Sequence, residues 1–79
     1  MVAKKIGNLS GQGNALGNLG IVYFSQGDYQ QAIKYNQQRL EIAQKIGDRP
    51  GQMKAMGNLG NAYHQLEKED KAIEYLEIL

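Results

Sequence analysis

Catalysis needs a converging set of reactive groups, and this sequence holds few residues from which to build one. His64 is the single histidine, there is no cysteine, and Ser10 and Ser25 sit in no nucleophile-elbow pattern. His64 has no carboxylate or cysteine at metal-ligand spacing on its own helix, and Glu67, three positions on, stands alone. Residues 11–17, Gly-Gln-Gly-Asn-Ala-Leu-Gly, approximate a phosphate-binding loop, but the spacing is off by one and no strand precedes it. No lysine-serine or lysine-threonine pair completes it. The sequence therefore predicts a protein that is not an enzyme, with no metal and no cofactor.

What remains is the chemistry of amides. At about 100° per residue, Asn14, Asn18, Ile21 and Ser25 gather on one side of a helix, opposite Leu16, Leu19, Gly20 and Tyr23. A second stretch sets Lys54, Asn58, Asn61 and Gln65 in the same register, with Arg39 and His64 on the margin. An asparagine side chain donates and accepts at once, so a row of them suits an extended main chain. The set is neutral to basic, so an acidic ligand is preferred. Asn36 and Arg39 fall inside the apolar arc of another helix, one turn apart, where an unpaired charge is costly. Either they form an internal pair with the arginine stem snorkelling outward, or Arg39 reaches a groove and reads a carboxylate.

The elements that must position these groups are set by an internal repeat. Residues 15–23 (Ala-Leu-Gly-Asn-Leu-Gly-Ile-Val-Tyr) return as residues 55–63 (Ala-Met-Gly-Asn-Leu-Gly-Asn-Ala-Tyr), a shift of forty. The same shift pairs Ala3 with Ala43, Ala32-Ile33 with Ala72-Ile73, and Tyr35 with Tyr75. Such a period is the signature of a stacked solenoid. Residues 1–9 read as the tail of a preceding helix, 10–47 as a first repeat, and 50–79 as a second, truncated one. Asn8, Ser10, Gly11 and Gly13 carry turn chemistry, with Ser10 as N-cap of a helix over about 10–26. Gly27-Asp28 closes it and caps a second helix from Tyr29 to Ile46, with Gln31 at the capping-box position. Pro50 or Gly51 opens a third helix, to Leu66, and the last runs from Glu69 to Leu79.

Within these helices, glycine costs about 1 kcal/mol against alanine, yet Gly17, Gly20, Gly57 and Gly60 recur in register. Gly20 and Gly60 predict helix packing against small residues such as Ala32 and Ala72. Gly17 and Gly57 lie nearer the polar face, where helix contact and ligand approach both remain open. Tyr23, Tyr35, Tyr63 and Tyr75 recur on apolar arcs and are predicted core. At the second inter-helix turn Glu67-Lys68-Glu69 replaces Gly27-Asp28-Tyr29, so a left-handed glycine cap is lost and the turn is expected to be built differently or to be less stable.

Leu-Gly-Asn-Leu-Gly-x-x-Tyr, then Gly27-Asp28-Tyr29 and Ala32-Ile33, resembles the tetratricopeptide repeat. The resemblance covers almost the whole chain and implies an all-α fold, an α-solenoid of about two helical hairpins in a right-handed superhelix. The longer period, residues 39–43 (Arg-Leu-Glu-Ile-Ala) and residues 46–49 (Ile-Gly-Asp-Arg) are similar to the subtype of Partner-of-Inscuteable and kinesin-light-chain-like adaptors. It implies that Arg39, Asn18, Asn58 and Asn61 line a peptide channel, although Ile21 stands where the second repeat has Asn61.

Composition bounds the partners. Nine basic and eight acidic residues leave a formal charge of +1 with no basic stripe, so nucleic acid is not a predicted ligand. No apolar run is long enough to span a bilayer, and a cytoplasmic protein is expected. Function reads as a scaffold holding a peptide segment of a partner protein on its concave face. The alternative is a self-assembling repeat fragment, associating through a C-terminal apolar face of Tyr75, Leu76, Ile78 and Leu79.

Overall fold

The computed structural model describes the backbone of residues 2–78 and the side chains of residues 8–77. Four helices follow one another: α1 (Val2–Ser25), α2 (Tyr29–Ile46), α3 (Arg49–Gln65) and α4 (Glu69–Ile78). Helix α1 packs on α2, α2 on α3 and α3 on α4, while α1 also touches α3. The fold is all-α, a stack of helical hairpins with principal extents of 43 × 26 × 13 Å.

The turn expected at residues 8–13, with Ser10 as its cap, is not there, because α1 runs through it unbroken. The equivalent point forty residues on shows what a break requires. Gly47 adopts φ 72°, the Asp48 carboxylate accepts from the Gly51 amide at 3.0 Å, and Pro50 enters the first turn of α3. Ser10 replaces that proline and keeps its amide, and Asn8 replaces Asp48, so nothing forbids the i to i−4 ladder from continuing.

The other turns obey the repeat. Asp28 caps α2, accepting from the Gln31 amide at 3.3 Å, and Gly27 takes φ 80°. The Glu67 turn is built the same way despite its sequence. The Gly27 amide bonds the Phe24 carbonyl and the Asp28 amide the Tyr23 carbonyl; likewise the Glu67 amide bonds His64 and the Lys68 amide bonds Tyr63. Glu67 is accordingly driven to φ 60°, left-handed backbone for a residue with a Cβ. The shared hydrogen-bond pattern overrides local preference, and the consequence is strain rather than a new turn.

Packing follows the forty-residue register. Ala32, Ala43, Ala55, Ala62 and Ala72 are buried where helices cross, and Leu59, Tyr63 and Ala72 form a cluster against which Ile33, Leu40 and Tyr75 pack. Tyr63 is buried, while Tyr23, Tyr35 and Tyr75 are half-buried. The tyrosines pair within each hairpin: Tyr23 stacks on Tyr35 at 5.5 Å and Tyr63 on Tyr75 at 5.8 Å, with nearly parallel rings. Leu19, on the side opposite the amides, is 42% exposed, although its equivalent Leu59 is fully buried. Helix α2 covers Leu59 with Ile33 and Leu40; no helix does so for Leu19 among the described residues.

Two glycines admit larger partners than expected. A Cβ on Gly20 would collide with the Asn36 amide, its Cγ 3.0 Å away, so the residue makes room for Asn36 rather than for Ala32. Gly17 is buried, not turned to the polar face, and a Cβ there would lie 2.9 Å from Arg39 Cδ. In the second hairpin, Gly60 faces the Leu76 side chain and, at 3.4 Å, the Ala72 carbonyl oxygen.

Candidate functional site

Because α1 and α3 both lean on α2 and only touch each other, a crevice of about 160 Å³ opens between them. Helix α1 lines it with Gly20, Ile21, Phe24 and Ser25, α3 supplies Asn58 and Asn61, and Asn36 of α2 forms the floor. Every one of these side chains is uncharged.

Asn36 is the residue around which the crevice is built. It is 1% exposed, and its Nδ2 donates to the Ala32 carbonyl one turn back at 2.9 Å. Its Oδ1 accepts from Asn58 Nδ2 at 3.2 Å. A buried amide left unpaired would cost about 1–3 kcal/mol, and these two bonds remove that cost while tying α2 to α3. Gly20 completes the arrangement from α1 by having no side chain where Asn36 lies. The bond to Asn36 also fixes Asn58. It uses one N–H, and among the described residues Asn58 makes no other side-chain hydrogen bond, so its Oδ1, unbonded and not buried, is open to solvent.

Asn36 and Arg39 do not form the internal pair that their spacing allows. Asn36 pairs with Asn58, and Arg39 lays its stem over Gly17 with no hydrogen-bond partner for its guanidinium among the described residues. Arg39 meets Asn14 in a second crevice, with Ser10 and Gly13 on α1, Ile42, Ala43 and Ile46 on α2, and Asp48. At about 10 Å³ it has room for roughly one water.

The ten residues singled out in the sequence therefore divide. Ile21, Ser25, Asn58 and Asn61 meet around the larger crevice, and Asn14 and Arg39 share the smaller one. Asn18, Lys54, His64 and Gln65 are exposed and line neither. His64 has no carboxylate partner on its own helix, but its Nδ1 lies 2.8 Å from Glu69 Oε1 at the start of α4, with both side chains more than half exposed. Sequence reasoning missed Phe24 and the lining role of Gly20 and Asn36. Both Asn36 and Phe24 carried a signal: Asn36 is a polar residue on an apolar arc, and Phe24 stands forty residues before His64, itself placed at the groove margin.

Helical hairpins stacked in a forty-residue register, with a crevice between their first helices, define a helical repeat scaffold. The profile of the tetratricopeptide repeat matches residues 11–77, and the chain belongs to that family. Tetratricopeptide repeats generally mediate protein–protein interaction. No curated protein matches the sequence. No helix among the described residues is long and apolar enough to cross a membrane.

Proposed function

We propose that this protein is a binding module, not an enzyme, that holds a peptide segment of a partner protein along α1 and α3. The observation that carries this reading is the uncharged crevice with Asn58 held by Asn36 and its Oδ1 left open to solvent. Asn18, Asn61, Ser25 and Gln65 extend the row of amides and hydroxyls, which suits main-chain recognition. Exposed Lys54 and half-buried Arg39 bias the flanks toward an acidic segment, whereas Glu69 offsets His64 at the far end. The forty-residue period supports the subtype of Partner-of-Inscuteable and kinesin-light-chain-like adaptors, and a cytoplasmic setting follows from that reading.

The test begins with peptides selected on the protein from a random display library. For an acidic binder, Lys54→Glu and Asn61→Asp, both at exposed positions, each weaken binding in calorimetry while the helical circular dichroism stays unchanged. An affinity untouched by both substitutions places the site elsewhere.

A second reading has its own observation. Leu19 and Val22 are 42% and 50% exposed while their repeat equivalents Leu59 and Ala62 are fully buried, and Ile73 is 49% exposed where Ile33 is packed against the core. The α2–α3 interface is thus a template for α4 of one copy stacking on α1 of the next, a head-to-tail contact. Leu76 lies on Gly60; the side chains of Ile78 and Leu79, part of the expected C-terminal face, lie outside the described residues. Sedimentation velocity at about 0.1 mM tests it. Association reversed by Ile73→Lys or Val22→Lys supports stacking, and a clean monomer refutes it.

A further inference from the structure

We infer that the crevice between α1 and α3 is an anchor pocket for one branched aliphatic side chain of the bound segment, and that Ile21 and Phe24 set this preference. The inference rests on the peptide-binding reading above and adds what the peptide must contain.

Three observations converge on it. The first is the wall. Ile21 is 51% exposed and Phe24, held edge-on to Tyr29 at 5.2 Å, is half-buried, so α1 presents an apolar surface to the crevice. The second repeat has Asn61 and His64 at the equivalent positions; this apolar pair belongs to the first repeat alone.

The second observation is the floor. Asn36 is the polar group beneath the crevice, but its Nδ2 donates to Ala32 and its Oδ1 accepts from Asn58, and the described residues hold no buried side-chain nitrogen or oxygen without a partner. An apolar group resting on the floor therefore leaves no buried polar atom unpaired there, while the amides of Asn58 and Asn61 stay at the α3 edge. A carboxylate or ammonium entering the same space would lose hydration and meet no opposite charge, because no lining residue is ionised.

The third observation is size. The volume of about 160 Å³ is close to the roughly 150 Å³ that accommodates a benzene-sized molecule in an apolar cavity. A leucine or isoleucine side chain fits that space, and a glycine or alanine leaves it unfilled. Asn58 and Asn61 then stand at the α3 side of the anchor, where the main chain on either side of the aliphatic residue passes.

The experiment is the display selection carried out in parallel on the unmodified protein, on Ile21→Asn and on Phe24→His, the last two borrowing the second repeat's residues. Circular dichroism confirms that each variant retains its helices. The expected result is enrichment of leucine, isoleucine, valine or methionine at one position of the binding peptides, reduced in both variants. In a synthetic copy of the leading peptide, aliphatic to glycine at that position weakens binding by about ten-fold or more, a step of about 1.4 kcal/mol. Binders without aliphatic enrichment, or enrichment equally strong in both variants, overturn the anchor pocket and leave the binding module standing. A selection that yields no binder to the unmodified protein overturns both.

Discussion

The turn between α3 and α4 offers the sharpest test of how the repeat specifies its structure. Glu67 adopts φ 60° where the first hairpin has Gly27 at φ 80°, and Lys68 stands where Asp28 caps α2. Both substitutions remove a local stabiliser while the backbone bonds persist. Left-handed backbone costs a residue with a Cβ about 1–2 kcal/mol, and glycine's extra freedom in the unfolded chain returns about 0.5–1 kcal/mol of that. Glu67→Gly is therefore expected to stabilise by about 0.5–1 kcal/mol. Lys68→Asp adds a side-chain acceptor at the N-cap of α4, worth typically about 1 kcal/mol. The acidic Glu69 and Asp70 already in the first turn of α4 limit any further gain from the helix dipole.

Together the two changes should stabilise the protein by about 1.5–2 kcal/mol. For a domain of this size that raises Tm by about 6–16 °C. Urea unfolding followed by circular dichroism at 222 nm measures the free energy directly, and a scan gives Tm. The reciprocal pair supplies the control, because Gly27→Glu and Asp28→Lys impose on the first turn what the second already tolerates. That pair should destabilise by a similar amount. If Glu67→Gly leaves the midpoint unchanged or lowers it while Gly27→Glu is harmless, the left-handed residue does not limit stability and the reasoning fails.

Asn36 gives a second prediction: Asn36→Ala removes the Asn58 partner and opens a void, and should cost about 1–3 kcal/mol in urea. Asn36→Leu copies the second repeat, where Leu76 lies on Gly60, and should stay within about 1 kcal/mol of the parent, since Asn58 is only partly buried and rehydrates; a loss as large as that of alanine would contradict this. Gly20→Leu drives a side chain into Asn36 and should cost more than about 1 kcal/mol, whereas Gln37→Ala, at an exposed position with one long bond to Tyr63, should stay within about 0.5 kcal/mol. Equal midpoint shifts for those two would refute the assigned faces of α1 and α2.

The architecture was legible because the forty-residue register repeats small, apolar and turn residues together, so each helix could be checked against its equivalent. Helix α2 spans Tyr29–Ile46 as read from its caps and arc, α3 departs only at its ends, and α4 begins at Glu69 as read, its expected end at Leu79 lying outside the described residues. Two limits of that reasoning have physical causes. Turn residues at 8–13 propose a break, but glycine, serine and asparagine merely permit one, whereas Pro50 and the capping Asp48 enforce it. Periodicity also assigns a side chain to a face without saying whether anything covers that face, which is why Leu19 and Leu59 share a position and not an environment.

The site was half legible for a related reason. Ile21, Ser25, Asn58 and Asn61 could be grouped because repeat register and helical period together put them on neighbouring faces. What holds them there is a contact among three helices, Gly20 on α1, Asn36 on α2 and Asn58 on α3, and no single wheel contains it. The second repeat solves the same space with Gly60 and Leu76, an apolar pair that makes the polar one a choice rather than a necessity of packing. An apolar residue at position 36 would fill the volume beneath Gly20 equally well, but it would leave Asn58 free to rotate. The buried asparagine instead holds Asn58 in one orientation at the edge of the crevice. Binding to Asn36→Leu separates the two roles: if stability is retained while affinity for a selected peptide falls, Asn36 serves to position Asn58, and if affinity is also retained, it serves packing alone.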